Sequence, residues 1–206
     1  MSMYRIRFLP FVALALLLGC GSTPPTEYYV LSADAPIGRN TAQPSIGIAE
    51  LQIAEYLQRP EIMVMESTNR ARLDGFERWA EPLDDGIRRT LALNLGALLE
   101  TDSVRVRPWP RDWIPDWVLR CSVARLDASA SMVELVAIWS LQRGAVAAPV
   151  LERSSRLSRA RSGSTADSLA ADFSVLLLEL SQQIATAMHD SVPPESAAQT
   201  VSTPAL

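Results

Sequence analysis

Few residues in this chain have the chemistry for catalysis. His189 is the only histidine, the two cysteines stand at positions 20 and 121, and all 19 basic residues are arginine. No second histidine and no usable cysteine is present to supply a zinc site. No glycine-rich loop ends in lysine to cradle a phosphate, and no Gly-x-Ser-x-Gly elbow presents a nucleophile. Asp84 and Asp85 are neighbours on a predicted helix, so their carboxylates point to different sides and form no acid/base pair. His189 falls at the end of another predicted helix, where its charged form suits the dipole. The expectation is a protein that is not an enzyme and uses no cofactor or metal.

Cys20 is the exception, because of what precedes it. Arg5 and Arg7 lead an apolar stretch from Phe8 to Leu18, and the run closes on Leu17-Leu18-Gly19-Cys20. A charged start, a short apolar core and a small residue before the cut describe a secretory signal over residues 1–19. The stretch is too short to span a bilayer, which takes about 20 apolar residues. A cut that leaves cysteine first resembles the bacterial lipoprotein box, which implies a diacylglycerol on the Cys20 thiol and further acylation of its amine. Two or more chains anchor stably where one holds only marginally. Gly21 stands where aspartate favours inner-membrane retention, so the expected location is the outer membrane, facing the periplasm.

Cys121 then has no partner for a disulfide within the chain, and its strand-like setting, with Leu119 and Val123 on the same face, predicts a buried, inert thiol. The formal net charge of −4 gives no sign of a nucleic-acid partner. The absence of lysine reads as a codon-composition effect.

Beyond a tether at 20–27, the pattern predicts a single α+β domain over 28–191 and a disordered tail at 192–206. Strands are expected at Tyr28–Leu31, Ser45–Ala54, Glu61–Ser67, Arg72–Trp79, Val104–Arg107, Trp117–Asp127, Met132–Arg143 and Pro149–Ala160. The second carries a phase slip at Ala49-Glu50 that suggests a bulge. Ser32 to Pro44 reads as a loop. One helix is expected from Glu81, with Leu83, Ile87, Leu91, Leu95, Leu98 and Leu99 as its apolar stripe. A second runs from a capping-box-like Ser164–Asp167 to about His189, with Leu169, Phe173, Leu176, Leu177, Leu180, Ile184 and Met188 facing the core. Strand sets each followed by one amphipathic helix predict a mixed or antiparallel sheet with both helices on one side.

Two surface features invite more than one reading. Arg153, Arg156, Arg159 and Arg161 crowd one strand, with Arg156 facing away from the others; they suit a solvated strand facing carboxylates, or a patch for an acidic partner or lipid phosphate. Trp109, Trp113 and Trp117 are four apart, yet Pro110 and Pro115 oppose a helix. They suit a loop locked over a sheet, or a partner or membrane contact.

A family resemblance runs from Leu51 to Leu99. It is carried by Glu55-Tyr56-Leu57-Gln58-Arg59-Pro60-Glu61-Ile62, by Asn69, and by Arg78-Trp79-Ala80-Glu81-Pro82-Leu83 leading into Leu91 and Leu95. With the lipoprotein box and Tyr28-Tyr29-Val30-Leu31, these resemble the PqiC-like auxiliary lipoproteins of ABC-type transport systems that work with MCE-domain proteins. The pattern departs from the family at Ala54, Gln58 and Leu126. The resemblance implies a fold similar to the amino-terminal domain of TolB, an outer-membrane lipoprotein serving intermembrane lipid transport, and an MCE-domain periplasmic partner. The alternative is a general periplasmic scaffold or envelope-assembly lipoprotein without a role in lipid traffic. Tyr56, Arg59, Trp79, Glu81, Trp109 and Trp113 are the candidate partner interface, with a structural role for the motif residues held open beside it. Self-association into a homo-oligomer through exposed strand edges is a further expectation.

Cys20→Ala should abolish incorporation of labelled palmitate and release the protein from membrane fractions; unchanged labelling would place the acyl chain elsewhere.

Overall fold

The computed structural model describes residues 24–35, 44–144 and 149–191. The expected signal at 1–19, Cys20, the first part of the tether, the middle of the 32–44 loop and the tail at 192–206 lie outside the described residues.

Among the described residues, eight strands and two helices follow in the order β1 (Glu27–Tyr29), β2 (Ile46–Ile53), β3 (Glu61–Ser67), β4 (Arg70–Trp79), α1 (Leu83–Leu98), β5 (Val104–Val106), β6 (Trp117–Ala128), β7 (Met132–Arg143), β8 (Leu151–Ala160) and α2 (Ala166–Asp190), with a 3-10 turn at Glu55–Leu57. The fold is α+β with a mixed sheet, as the periodicity predicts. The strands divide between two sheets, however: five in the order β5-β2-β6-β7-β8, and three in the order β1-β4-β3. A strand has only two edges, and β2 has given one to β5 and one to β6, both parallel to it. The chain leaving β2 therefore finds no place beside it and opens a second sheet. There β3 and β4 pair as a hairpin and β1 joins β4 in parallel.

Both helices pack on one face of the large sheet, and the strands alternate accordingly. Leu119, Cys121 and Val123 of β6, and Val133, Leu135, Ala137, Trp139 and Leu141 of β7, are all buried. From α1, Ile87, Leu91 and Leu95 meet them; from α2, Leu169, Leu176, Leu177, Leu180 and Ile184 do. The opposite face, with Glu50, Gln52, Arg120, Glu152, Ser154 and Arg156, is polar or exposed. Two bulges keep the inward set inward. Ile48 pairs with Leu119 and Leu51 with Cys121, with an extra residue in β2 at the expected slip; Val123 pairs with Ala137 and Leu126 with Leu135, with an extra residue in β6. Without them each strand would turn its apolar residues to solvent past that point.

The helix ends differ slightly from expectation. Pro82 is the N-cap of α1, so the helix begins at Leu83 and not at Glu81. For α2 the cap is Thr165, whose hydroxyl accepts from the Ser168 amide at 3.2 Å, one residue past the expected Ser164. The end of α1 is tied off by Thr101 N–H donating to the Gly96 carbonyl at 2.9 Å and Glu100 N–H to that of Ala97 at 3.3 Å. This Schellman geometry puts Glu100 in the left-handed region, φ 53°. A Cβ costs energy there that glycine avoids.

The buried Cys121 thiol is pushed up to about 12 by desolvation, as an inert core thiol requires. Arg159 lies 3.6 Å from the buried Asp172 of α2, and Arg156, on the other face, 3.7 Å from Glu134, so part of the arginine cluster faces carboxylates.

Glu100→Gly should raise unfolding stability by about 1 kcal/mol in urea titration by relieving the left-handed residue; a loss of stability would mean the glutamate side chain contributes more than its backbone costs.

Candidate functional site

The candidate interface residues fall into two groups at opposite ends of the central strands. Tyr56, Arg59, Trp79 and Glu81 gather beyond the carboxyl ends of β2 and β6. Trp109 and Trp113 lie over the start of β2. The structure does not bring the two groups together.

Tyr56, Arg59 and Trp79 line a shallow cleft between the 3-10 turn, the small sheet and α2, together with Met63, Leu126 and Phe173. Trp79, at the end of β4, is 7% exposed and stacks on Phe173 of α2, ring centroids 6.3 Å apart and planes 28° off parallel. Its amide donates to the Pro60 carbonyl at 2.7 Å, and that of Ala80 to the Tyr29 carbonyl at 2.8 Å. Glu81 accepts from Arg89 of α1, from Nε at 3.1 Å and Nη2 at 2.6 Å, and the same Nη2 donates to the Leu31 carbonyl at 2.9 Å. Trp79 and Glu81 thus tie β4, α1 and the strand-to-loop exit at Leu31 into one corner. That geometry sets the angle at which α1 enters.

Tyr56 and Arg59 are the exposed members of the group. The Tyr56 hydroxyl donates to Asp127 Oδ1 at 2.8 Å, and burial, this hydrogen bond and the carboxylate's charge push the phenol well above its ordinary range. Asp127 is also 3.4 Å from Arg125, which bonds Glu134 at 3.0 Å. Arg59 is exposed and has no ion-pair partner among the described residues. One free cation beside a half-exposed aromatic ring can meet a carboxylate or phosphate on another molecule.

In the second group the loop from Arg107 to Asp116 folds onto the open face of the large sheet. Trp109 lies so close over Gly47 that a Cβ there would meet its Cη2 at 2.7 Å and Pro115 Cγ at 3.0 Å. Only glycine permits that approach. Trp109 and Trp113 meet edge to face at 5.5 Å, with Arg107 over the first ring and Arg105 over the second. Asp116 Oδ2 accepts from the Ser45 amide at 2.7 Å and hydroxyl at 2.9 Å, pinning the loop to the start of β2. Trp117 is buried inside β6 with Arg143 over its ring at 4.1 Å. The tryptophans lock a loop over a sheet, and their spacing of four reflects no helix.

The sequence reading places Phe173 in the core stripe of its helix without its partner Trp79, and it missed the roles of Asp127 and Arg89 at this corner. Gly47 had a local signal, an isolated glycine inside a strand pattern. No cluster of three or more metal-ligating side chains is present among the described residues, and none of their helices is long and apolar enough to cross a membrane.

The chain belongs to the family described as the ABC-type transport auxiliary lipoprotein component, whose pattern matches residues 29–185. A crystal structure of an uncharacterized protein is similar in fold, with a TM-score of 0.67 and 19% identity over 80% of this chain and 99% of that one. A crystal structure of a protein from Xanthomonas campestris gives 0.65 and 17% over 81% and 99%. Among curated proteins no match is found.

Tyr56→Phe should cost about 1 kcal/mol at neutral pH by removing the bond to Asp127. A phenol held above its ordinary value keeps its stabilisation below pH 10 and loses it as pH rises beyond, since the unfolded tyrosine ionises first. The variant should therefore lose less stability than the parent above pH 10, where no lysine titrates; identical alkaline limbs in pH-dependent denaturation would refute the link.

Proposed function

We propose that the protein is a non-enzymatic lipoprotein of the outer membrane, facing the periplasm, that serves as the auxiliary component of an ABC-type system moving lipid between membranes and docks its MCE-domain protein. The carrying observation is the family match over residues 29–185 joined to the lipoprotein box at Cys20. Gly21 after the cysteine supports the outer-membrane location. Within the motif, Trp79 and Glu81 hold the corner rigid, while Tyr56 and Arg59 present an aromatic edge and an exposed guanidinium on it. This division of labour suits a docking surface whose partner supplies a carboxylate. Trp109 and Trp113, half-buried at the other end of the sheet, offer a second contact surface held by its own loop.

Crosslinked pull-down from envelope extracts should recover an MCE-domain protein, and Arg59→Glu should weaken that recovery about tenfold, equivalent to about 1.4 kcal/mol. Repeated recovery of other envelope proteins without an MCE protein would favour the general scaffold; recovery untouched by the reversal of charge would move the docking surface elsewhere.

A further inference from the structure

The small sheet carries an apolar outer face that the core does not use. β1 pairs with β4 so that Tyr28 lies beside Arg78 and Tyr29 beside Trp79. Trp79 faces inward against Phe173, so Tyr28 and Arg78 face outward. On that side Phe76 stands two residues before Arg78 on β4, and the exposed Val30 follows directly after the end of β1, toward the opposite end of the strand pair. Tyr28 is 64% exposed, Val30 56% and Phe76 40%. Leu73, further along β4, is exposed as well. A diagonal pair such as Tyr28 and Phe76 lies within reach of aromatic side chains, so these form one patch.

The position of this patch in the chain says what covers it. Glu27, the first residue of β1, is seven residues after Cys20, and seven residues extend at most about 25 Å. A domain of this length has a radius of gyration of about 15 Å and is roughly 40 Å across. A lipid anchor at Cys20 therefore holds the β1 end of the body against the bilayer and keeps the far end away from it. Pro24 and Pro25 stiffen the link further. Tyrosine and phenylalanine with an arginine beside them suit the headgroup region, where an apolar ring and a polar tip are both satisfied.

We propose that the outward face of the small sheet, formed by Tyr28, Val30 and Phe76, rests on the surface of the bilayer that holds the acyl chains of Cys20. The proposal rests on the anchor reading above. The contact is apolar in character, because Glu27, Asp74 and Glu77 beside the patch offset Arg72 and Arg78 and give anionic headgroups no net attraction. It orients the body: the β1 edge lies down on the membrane and the large sheet is carried above it.

The test uses the acylated full-length protein in phosphatidylcholine vesicles containing lipids with a nitroxide near the headgroup. A fluorophore goes on Gly75→Cys, where a Cβ meets nothing within 4 Å, and for comparison on Leu93→Cys of α1 and Ile138→Cys of the open sheet face, both exposed positions. Cys20 is acylated and Cys121 is buried, so the label reports the introduced site. Quenching several-fold stronger at position 75, unchanged by added salt and lost when Tyr28→Ser and Phe76→Ser are combined, is the expected result. Protein that floats with the vesicles but is quenched equally at all three positions overturns the proposal alone, as does quenching at 75 that survives the double substitution or falls with salt. Protein that fails to float overturns the anchor, and the proposal with it.

Discussion

Two helices cover one face of a five-stranded sheet and leave the other bare, and the rest of the molecule follows from that asymmetry. Every inward position on β6 and β7 must be apolar. β7 holds that alternation unbroken from Val133 to Leu141, whereas the apolar pattern of β2 and of β6 slips phase once, and the extra residue at each bulge restores Leu51, Ile53, Leu126 and Ala128 to the core side. An unbulged pairing would have turned these side chains to water at about 25 cal/mol per Å² of apolar surface.

The same asymmetry explains the two surfaces that sequence motifs singled out. At the carboxyl ends of β2 and β6 the sheet gives way to the small sheet, and the joint is closed by Trp79 on Phe173 and by Glu81 holding Arg89. Rigidity there leaves Tyr56 and Arg59 on a fixed platform at its rim. At the other end the bare face is covered locally by the tryptophan loop, which the missing side chain of Gly47 admits. Between them the open face stays polar, with Arg120, Ser122, Glu50 and Glu152 around Ile138. It needs no cover to be stable in water.

An accessory protein of a transport system must present surfaces to partners while one end is held at a membrane. Here the tether enters at β1, on the edge of the small sheet, and β1 belongs through Ala80 and Leu31 to the corner that Glu81 and Arg89 build. The first strand, the motif corner and the first helix are thus joined by hydrogen bonds and stacked rings.

Local pattern carried most of the fold. The strand pattern located β7 to the residue, the 3.6 stripe located both helices, and the slip at Ala49-Glu50 marked a real bulge, because each depends only on which residues of one segment face the core. The family, too, was legible, since Tyr-Leu-x-Arg-Pro and Trp-x-Glu-Pro-Leu are local strings. Tertiary structure alone decided the division into two sheets, which turns on β2 spending both its edges on β5 and β6, strands far along the chain. It alone decided that Tyr56 meets Asp127 seventy-one residues away, that Trp79 is packed where Arg59 is exposed, and that Trp109 rests on Gly47. Such pairings are set by the register of distant strands, and no short window of sequence contains both partners.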